Sequence, residues 1–207
     1  ALAGGAVWVL YVSPVRIHRD PSALRGWPRA GDPGAFRAAW RVYALWTALA
    51  AAAMIAIGWL VDPEMWARAR LDAIGIKLAG YLVFGLIQAL IFFGFVEMRL
   101  RSIVPERLGP ARHRLLVAAA TALIFAAAHA PNPALIAITL GGGFAWALIF
   151  YRRPNILLLA LSHAILGTIL HRVIQLHMRI GPFYADPDSY ILRTAIPGLS
   201  EMIGPRF

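Results

Sequence analysis

Glu97, His129 and His163 are the carboxylate and imidazole side chains set deepest in apolar sequence. A carboxylate with two imidazoles is equipment for moving protons, activating a water, or holding a metal or cofactor. Placing such groups in lipid is expensive: a charge near the bilayer centre costs at least ~2.5 kcal/mol on insertion scales, so they face a protein interior, a partner or water. Counting inward from the basic flanks at the helical rise, Glu97 lies roughly 15 Å from Arg107, His129 roughly 22 Å from Arg114 and His163 roughly 15 Å from Arg153. Three helices are thus predicted to bring one carboxyl and two imidazoles to similar depth. Each residue also has a plainer reading. A lone imidazole hydrogen-bonds across a helix interface, and Glu97 pairs with Arg101 one turn on. The chain has no cysteine, which excludes a thiolate zinc site and a disulfide framework, and no metal ligand set is assigned.

The elements that carry these residues follow from composition. With 60% of residues hydrophobic and 14% charged, the chain has more apolar surface than a water-soluble domain of this size could hide in one core. Charge-free runs at Val42 to Val61 and Leu78 to Val96 are long enough to cross the hydrocarbon layer. Leu115 to Tyr151 is uncharged over 37 residues and broken by Pro131, Asn132 and Pro133, which predicts two helices in a hairpin within the membrane. Pro154 opens a last span ending near Ile174. Ala1 to Val12 reads as the end of another helix, with residues expected to precede Ala1. The expected fold is an all-α integral membrane bundle of about five to six transmembrane helices. Its divisions are 1–35, a partial helix and basic interfacial segment; 36–178, the bundle; and 179–207, a C-terminal tail.

Arginine supplies almost all of the net charge of +10. Arg16, Arg19, Arg25 and Arg29, then Arg99, Arg101, Arg107, Arg112 and Arg114, then Arg152 and Arg153 fall in three segments that should share one side. The positive-inside rule makes that side cytoplasmic, in the inner membrane of a bacterium. These are short juxtamembrane clusters without a basic face, so nucleic acid is excluded as a partner and the bilayer is expected instead. Trp40, Trp46, Trp59 and Trp66 read as interface anchors, and Gly141, Gly142 and Gly143 as close-approach positions.

Three motifs in order then resemble one family. Val96-Glu97-Met98-Arg99-Leu100-Arg101, Phe125-Ala126-Ala127-Ala128-His129 with its Pro-Asn-Pro sequel, and His163 four residues before Gly167 resemble the CPBP intramembrane proteases, the CAAX-processing and Abi-type proteins. The family pattern is two adjacent glutamates with an arginine four residues after the second, Phe-x-x-x-His, and His-x-x-x-Asn. The resemblance covers about Leu78 to Met178. It implies that Glu97, Arg101, His129 and His163 occupy catalytic-motif positions. It also implies that the first glutamate would activate water with the second-motif histidine, while the third-motif histidine and asparagine stabilise the oxyanion.

Two of those positions are empty of chemistry here, since Val96 stands for the first glutamate and Gly167 for the asparagine. Loss of a general base removes typically ~10² to 10⁴ in rate, and loss of an oxyanion donor ~10² to 10³. Glu97 replaces the base only where the helix rotates or bulges, because α-helical neighbours point about 100° apart. Gly94 makes such a distortion conceivable. The expectation is therefore a catalytically degenerate relative acting as a binding, assembly or structural subunit of a larger membrane complex, with other membrane subunits or a transmembrane peptide as partner. The alternatives are an active glutamic-type intramembrane endopeptidase and a pigment- or haem-binding subunit. In the last, His129 and His163 would be the cofactor ligands among small neighbours. No particular cofactor is assigned.

Overall fold

The computed structural model describes residues 7–17, 26, 33–72 and 74–185. Everything described is helix, turn or irregular chain, with no strand among the described residues. A wide-wound segment α1 (Trp8–Ile17) precedes α2 (Pro33–Val61), the one-turn α3 (Met65–Arg68), and α4 (Ile74–Ile103). A 3₁₀ turn (Glu106–Leu108) leads to α5 (Pro110–Ala127), α6 (Pro133–Arg152) and α7 (Ile156–Val173). Four of these, α2 from Phe36, α4, α6 and α7, are long and apolar enough to cross a membrane. The chain is an all-α integral membrane protein. Ala1 to Ala6, most of the basic segment before Pro33, and residues 186–207 of the expected tail lie outside the described residues.

The starts of α6 and α7 are each set by an asparagine cap. Pro133 sits in the first turn of α6, where a missing N–H costs nothing, and Asn132 caps it by accepting the Leu135 N–H at 3.1 Å. Asn155 does the same for α7, accepting from Leu158 N–H at 3.0 Å. This corrects the expectation for Pro154, which lies before the cap and not in the first turn. Residues 128–132 turn the chain between α5 and α6, as the Pro-Asn-Pro sequence demands; α5 packs most extensively on α6, and α4 on α7.

Helix α4 is not uniformly wound. Ile74–Gln88 and Met98–Ile103 are α-helical, but Ala89–Glu97 between them is wound with i→i+5 hydrogen bonds. Such stretches are rare and mark places where an extra residue is absorbed and the following side chains are re-aimed. Gly94 lies inside the stretch, where a Cβ would approach Ile156 Cδ1 at 3.2 Å. Beyond it Glu97 is fully buried and Val96 only partly so. The widened winding thus aims the second motif position inward.

The core is aromatic. Phe93, Phe125, Trp146 and Phe150, each at most 5% exposed, meet with ring centroids 5.7 Å (Phe93 to Phe125), 6.4 Å (Phe93 to Trp146) and 6.1 Å (Phe93 to Phe150) apart. Edge and tilted contacts at these separations suit the ring quadrupoles. On the far side, Ser162 accepts from Trp146 Nε1–H at 2.9 Å and hydrogen-bonds the Thr47 hydroxyl at 2.7 Å, tying α2, α6 and α7 through one oxygen.

Candidate functional site

Antiparallel packing sets which side chains can meet. Along α4 and α7, Gly94 lies against Ile156, Gly85 against Ala160 and His163, and Tyr81 against Gly167. Along α4 and α5, the Arg101 carbonyl accepts from His113 Nε2–H at 3.1 Å, and the Phe92 ring meets Phe125 edge-on at 5.2 Å.

The register separates the expected site into two polar centres. At the first, Glu97 Oε1 accepts from Arg101 Nη2 at 2.6 Å. Arg101 also donates to the Phe150 carbonyl at 3.2 Å and lies over the Tyr151 ring, 4.1 Å from its centroid. Glu97 Oε2 and Arg101 Nε are buried there without a partner among the described residues, and the buried Tyr43 side chain lies beside them. His113 holds Tyr151 from behind, its Nδ1 accepting the phenol at 2.9 Å while Nε2–H serves the Arg101 carbonyl.

The second centre holds the histidines. His129 Nδ1–H donates to the Phe125 carbonyl at 2.8 Å, which fixes the ring and leaves Nε2 pointing away from its own helix. His163 lies 5.6 Å from the Trp146 ring and 6.5 Å from Phe125, centroid to centroid, and its Nδ1 has no partner among the described residues. The Phe125 ring is 4.9 Å from His129, so one phenyl group touches both imidazoles.

Glu97 belongs to the first centre alone. It makes no hydrogen bond or ion pair to either histidine. Gly85 marks the level of His163, and the twelve residues from Gly85 to Glu97 put the carboxylate roughly 18 Å further along α4 at the α-helical rise, and somewhat less through the widened stretch. The Phe93, Phe125 and Trp146 rings stand between. The expectation that three side chains converge at one depth is therefore corrected: two do, and the third is neutralised by its own helix.

The third-motif position is filled differently as well. Where an asparagine would stand, Gly167 packs against the Tyr81 ring, and a Cβ there would approach Tyr81 Cδ1 at 3.1 Å. The Tyr81 hydroxyl is 3.0 Å from His171 Nδ1. Gly85 is the converse: a Cβ on it would sit 2.8 Å from His163 Nδ1 and 3.1 Å from the Ala160 carbonyl. Tyr81, Gly85 and Gln88 were not singled out from the sequence. The signal available was polarity without charge, since Gln88 is the one amide in the Leu78 to Val96 run.

The opposite end of the bundle is clasped. Arg172, 1% exposed, donates to the Arg70 carbonyl at 2.9 Å, the Asp72 carbonyl at 2.6 Å and the Asp72 carboxylate at 3.1 Å. Arg70 N–H returns a bond to the Arg172 carbonyl at 2.8 Å. The Arg70 guanidinium, hydrogen-bonded to Asp72, holds that carboxyl below its ordinary range. A strap from His177 to Gly181 crosses the turn that carries His129: Asn132 Nδ2 donates to the His177 carbonyl at 2.6 Å and the Arg179 carbonyl at 3.1 Å, and Gly181 N–H donates to the Ala130 carbonyl at 2.8 Å.

Residues 78–169 match the family model described as Type II CAAX prenyl endopeptidase Rce1-like. No curated protein and no solved structure matches the chain.

Proposed function

We propose, from the match of residues 78–169 to the Rce1-like family model, which supports a membrane protease-like protein, that the chain does not cleave peptide bonds and serves as a binding or assembly subunit of a larger membrane complex. One observation carries the reading. The carboxylate nearest the family's base position, Glu97, is spent on Arg101 at 2.6 Å and stands behind an aromatic layer from His129. A histidine without a carboxylate partner activates water poorly, and Gly167 offers no donor to a developing oxyanion.

What remains is a rigid helix bundle with a polar interior and a large apolar exterior. Helix α2 presents Leu45, Leu49, Trp59 and Leu60 outward, each more than half exposed, a surface for lipid or a partner helix. The paired positions of Arg68 with Asp62 and Glu64, and of Arg70 and Arg172 with Asp72, offset the positive charge at that end. This supports an orientation with the Arg99 to Arg114 and Arg152 to Arg153 loops on the cytoplasmic side of a bacterial inner membrane.

The test uses the full chain in proteoliposomes with a prenylated CAAX peptide, the substrate class in the family's description. No cleavage above the His129→Ala background is expected. Cleavage that both Glu97→Gln and His129→Ala abolish would establish the endopeptidase instead. Purification in mild detergent should recover a stoichiometric membrane partner; a clean monomer removes the assembly role, and a coloured preparation points to a pigment or haem on His129 and His163.

A further inference from the structure

We propose that the arginine-rich end of the α5–α6 hairpin binds an anionic phospholipid, with Arg112, Arg152 and Arg153 on the phosphate headgroup and Leu115 and Leu116 against the acyl chain. This goes beyond the subunit role and does not depend on it.

The charge at this end is uncompensated. Between Met98 and Arg153 the sequence has seven arginines, no lysine and a single carboxylate, Glu106. Arg101 is engaged by Glu97, and Arg99 lies over the Phe95 ring, 5.4 Å from its centroid. Arg107, Arg112, Arg152 and Arg153 are exposed and have no ion pair among the described residues. At the opposite end Arg68, Arg70 and Arg172 are each met by a carboxylate. One end of the bundle is neutralised from within, and the other presents its charge outward. Glu106 is itself exposed and adjoins Arg107, so the site is assigned to the other three arginines.

Packing gathers those three. His113 Nδ1 accepts the Tyr151 phenol at 2.9 Å, with ring centroids 5.9 Å apart, so the first turn of α5 meets the last turn of α6. Arg112 is the residue before His113, and Arg152 and Arg153 are the two after Tyr151. Arginines flanking one contact can share one headgroup, because the guanidinium fork matches phosphate oxygens two at a time.

The surface beside them is apolar. Leu115 and Leu116, 46% and 49% exposed, follow Arg112 by three and four residues and so lie on its face of α5, one turn further along the helix. An exposed arginine with two exposed leucines one turn below fits a molecule that is anionic at its head and hydrocarbon beneath. A free phosphate makes no use of the leucines. A zwitterionic lipid brings a choline group that the arginines repel.

The experiment holds the full chain in detergent micelles and follows bound lipid by native mass spectrometry during titration with dioleoyl phosphatidylglycerol and with dioleoyl phosphatidylcholine. An arginine at a membrane surface strengthens the attraction of an anionic lipid by about fivefold. Phosphatidylglycerol should therefore bind about tenfold or more tightly than phosphatidylcholine. Combining Arg112→Gln, Arg152→Gln and Arg153→Gln should remove most of that preference, whereas lysine at the same three positions, which keeps the charge, should retain it. Arg68→Gln, at the paired end, should leave the preference as it is. Sodium phosphate in excess over the lipid should not displace it. A melting scan of each variant reports whether the fold is kept; should the triple variant fail to fold, Arg112→Gln alone is read, with a loss of about fivefold expected. Equal binding of the two lipids, an undiminished preference in the glutamine variants, an equal loss in Arg68→Gln, or displacement by phosphate, the result for a site that takes any free anion, would each overturn the proposal.

Discussion

Gly85 and His163 are complementary across α4 and α7: the imidazole Nδ1 lies only 2.8 Å from where a methyl group on residue 85 would be. The glycine is what lets the histidine ring lie against α4, and no side chain could be added at residue 85 without moving either ring or backbone. Gly80, on the same helix, has nothing within 4 Å of its would-be Cβ. Gly85→Ala should therefore cost about 1 to 3 kcal/mol of stability by overpacking, while Gly80→Ala should be neutral or stabilising. Unfolding of both variants in detergent, compared at one temperature, checks the contrast.

The buried ion pair of the first centre predicts an asymmetric double-mutant cycle. Removing Glu97 as leucine strands Arg101, whose side chain is only 12% exposed, and breaking such a pair costs about 3 to 5 kcal/mol. Removing both residues as leucines should cost less than removing Glu97 alone, because the stranded charge disappears with its partner. Additive losses in the cycle would show that the pair is not coupled.

Gly167→Asn restores a family motif residue into space already taken. With Tyr81 Cδ1 at 3.1 Å from the new Cβ, the variant should be destabilised and, on the proposed subunit reading, show no peptidase activity. Pairing it with Tyr81→Ala should recover stability without recovering activity, since Val96 still stands at the base position. Thermal shift and the prenylated-peptide assay read the two outcomes separately.

Much of this was legible beforehand because lipid imposes coarse rules. Spans must be long and uncharged, and Pro131 to Pro133 cannot continue a helix, so the α5–α6 hairpin and the spans around Val42 to Val61 and Leu78 to Val96 could be read directly. The family likeness rested on motif order and is matched over residues 78–169. The level of Glu97 was not legible. Counting from flanking arginines assumes helix ends are level and flanks helical, yet α4 stops at Ile103, before Arg107, and overshoots the start of α7, with Gly94 already opposite Ile156. Gln88 and Tyr43 were not legible because they are polar without formal charge, and a membrane span accommodates such residues without interrupting its apolar run.

Acid should loosen the clasp at the α3–α4 junction. The Arg70 hydrogen bond lowers the Asp72 pKa in the folded chain, so this carboxylate's contribution is fully present above the ordinary carboxylate range. It is lost as pH falls through and below it. Asp72→Asn removes the titration, so the melting temperature of the wild-type chain should fall more steeply between about pH 5 and pH 3 than that of the variant. Parallel slopes would show that the clasp does not feel this proton.

Asn132→Ala should cost about 1 to 2 kcal/mol from the lost cap alone, with faster amide exchange at Gly181, whose N–H reaches Ala130. The same carboxamide starts α6 with its oxygen and holds the strap with its nitrogen. Two neighbourhoods far apart in sequence therefore share one hinge pin: a protein that loosens its strap to admit something beside His129 must do so by sliding carbonyls off the nitrogen, with the oxygen still seated on Leu135. Opening by that route leaves the membrane helix intact, whereas opening by turning the whole side chain would fray it.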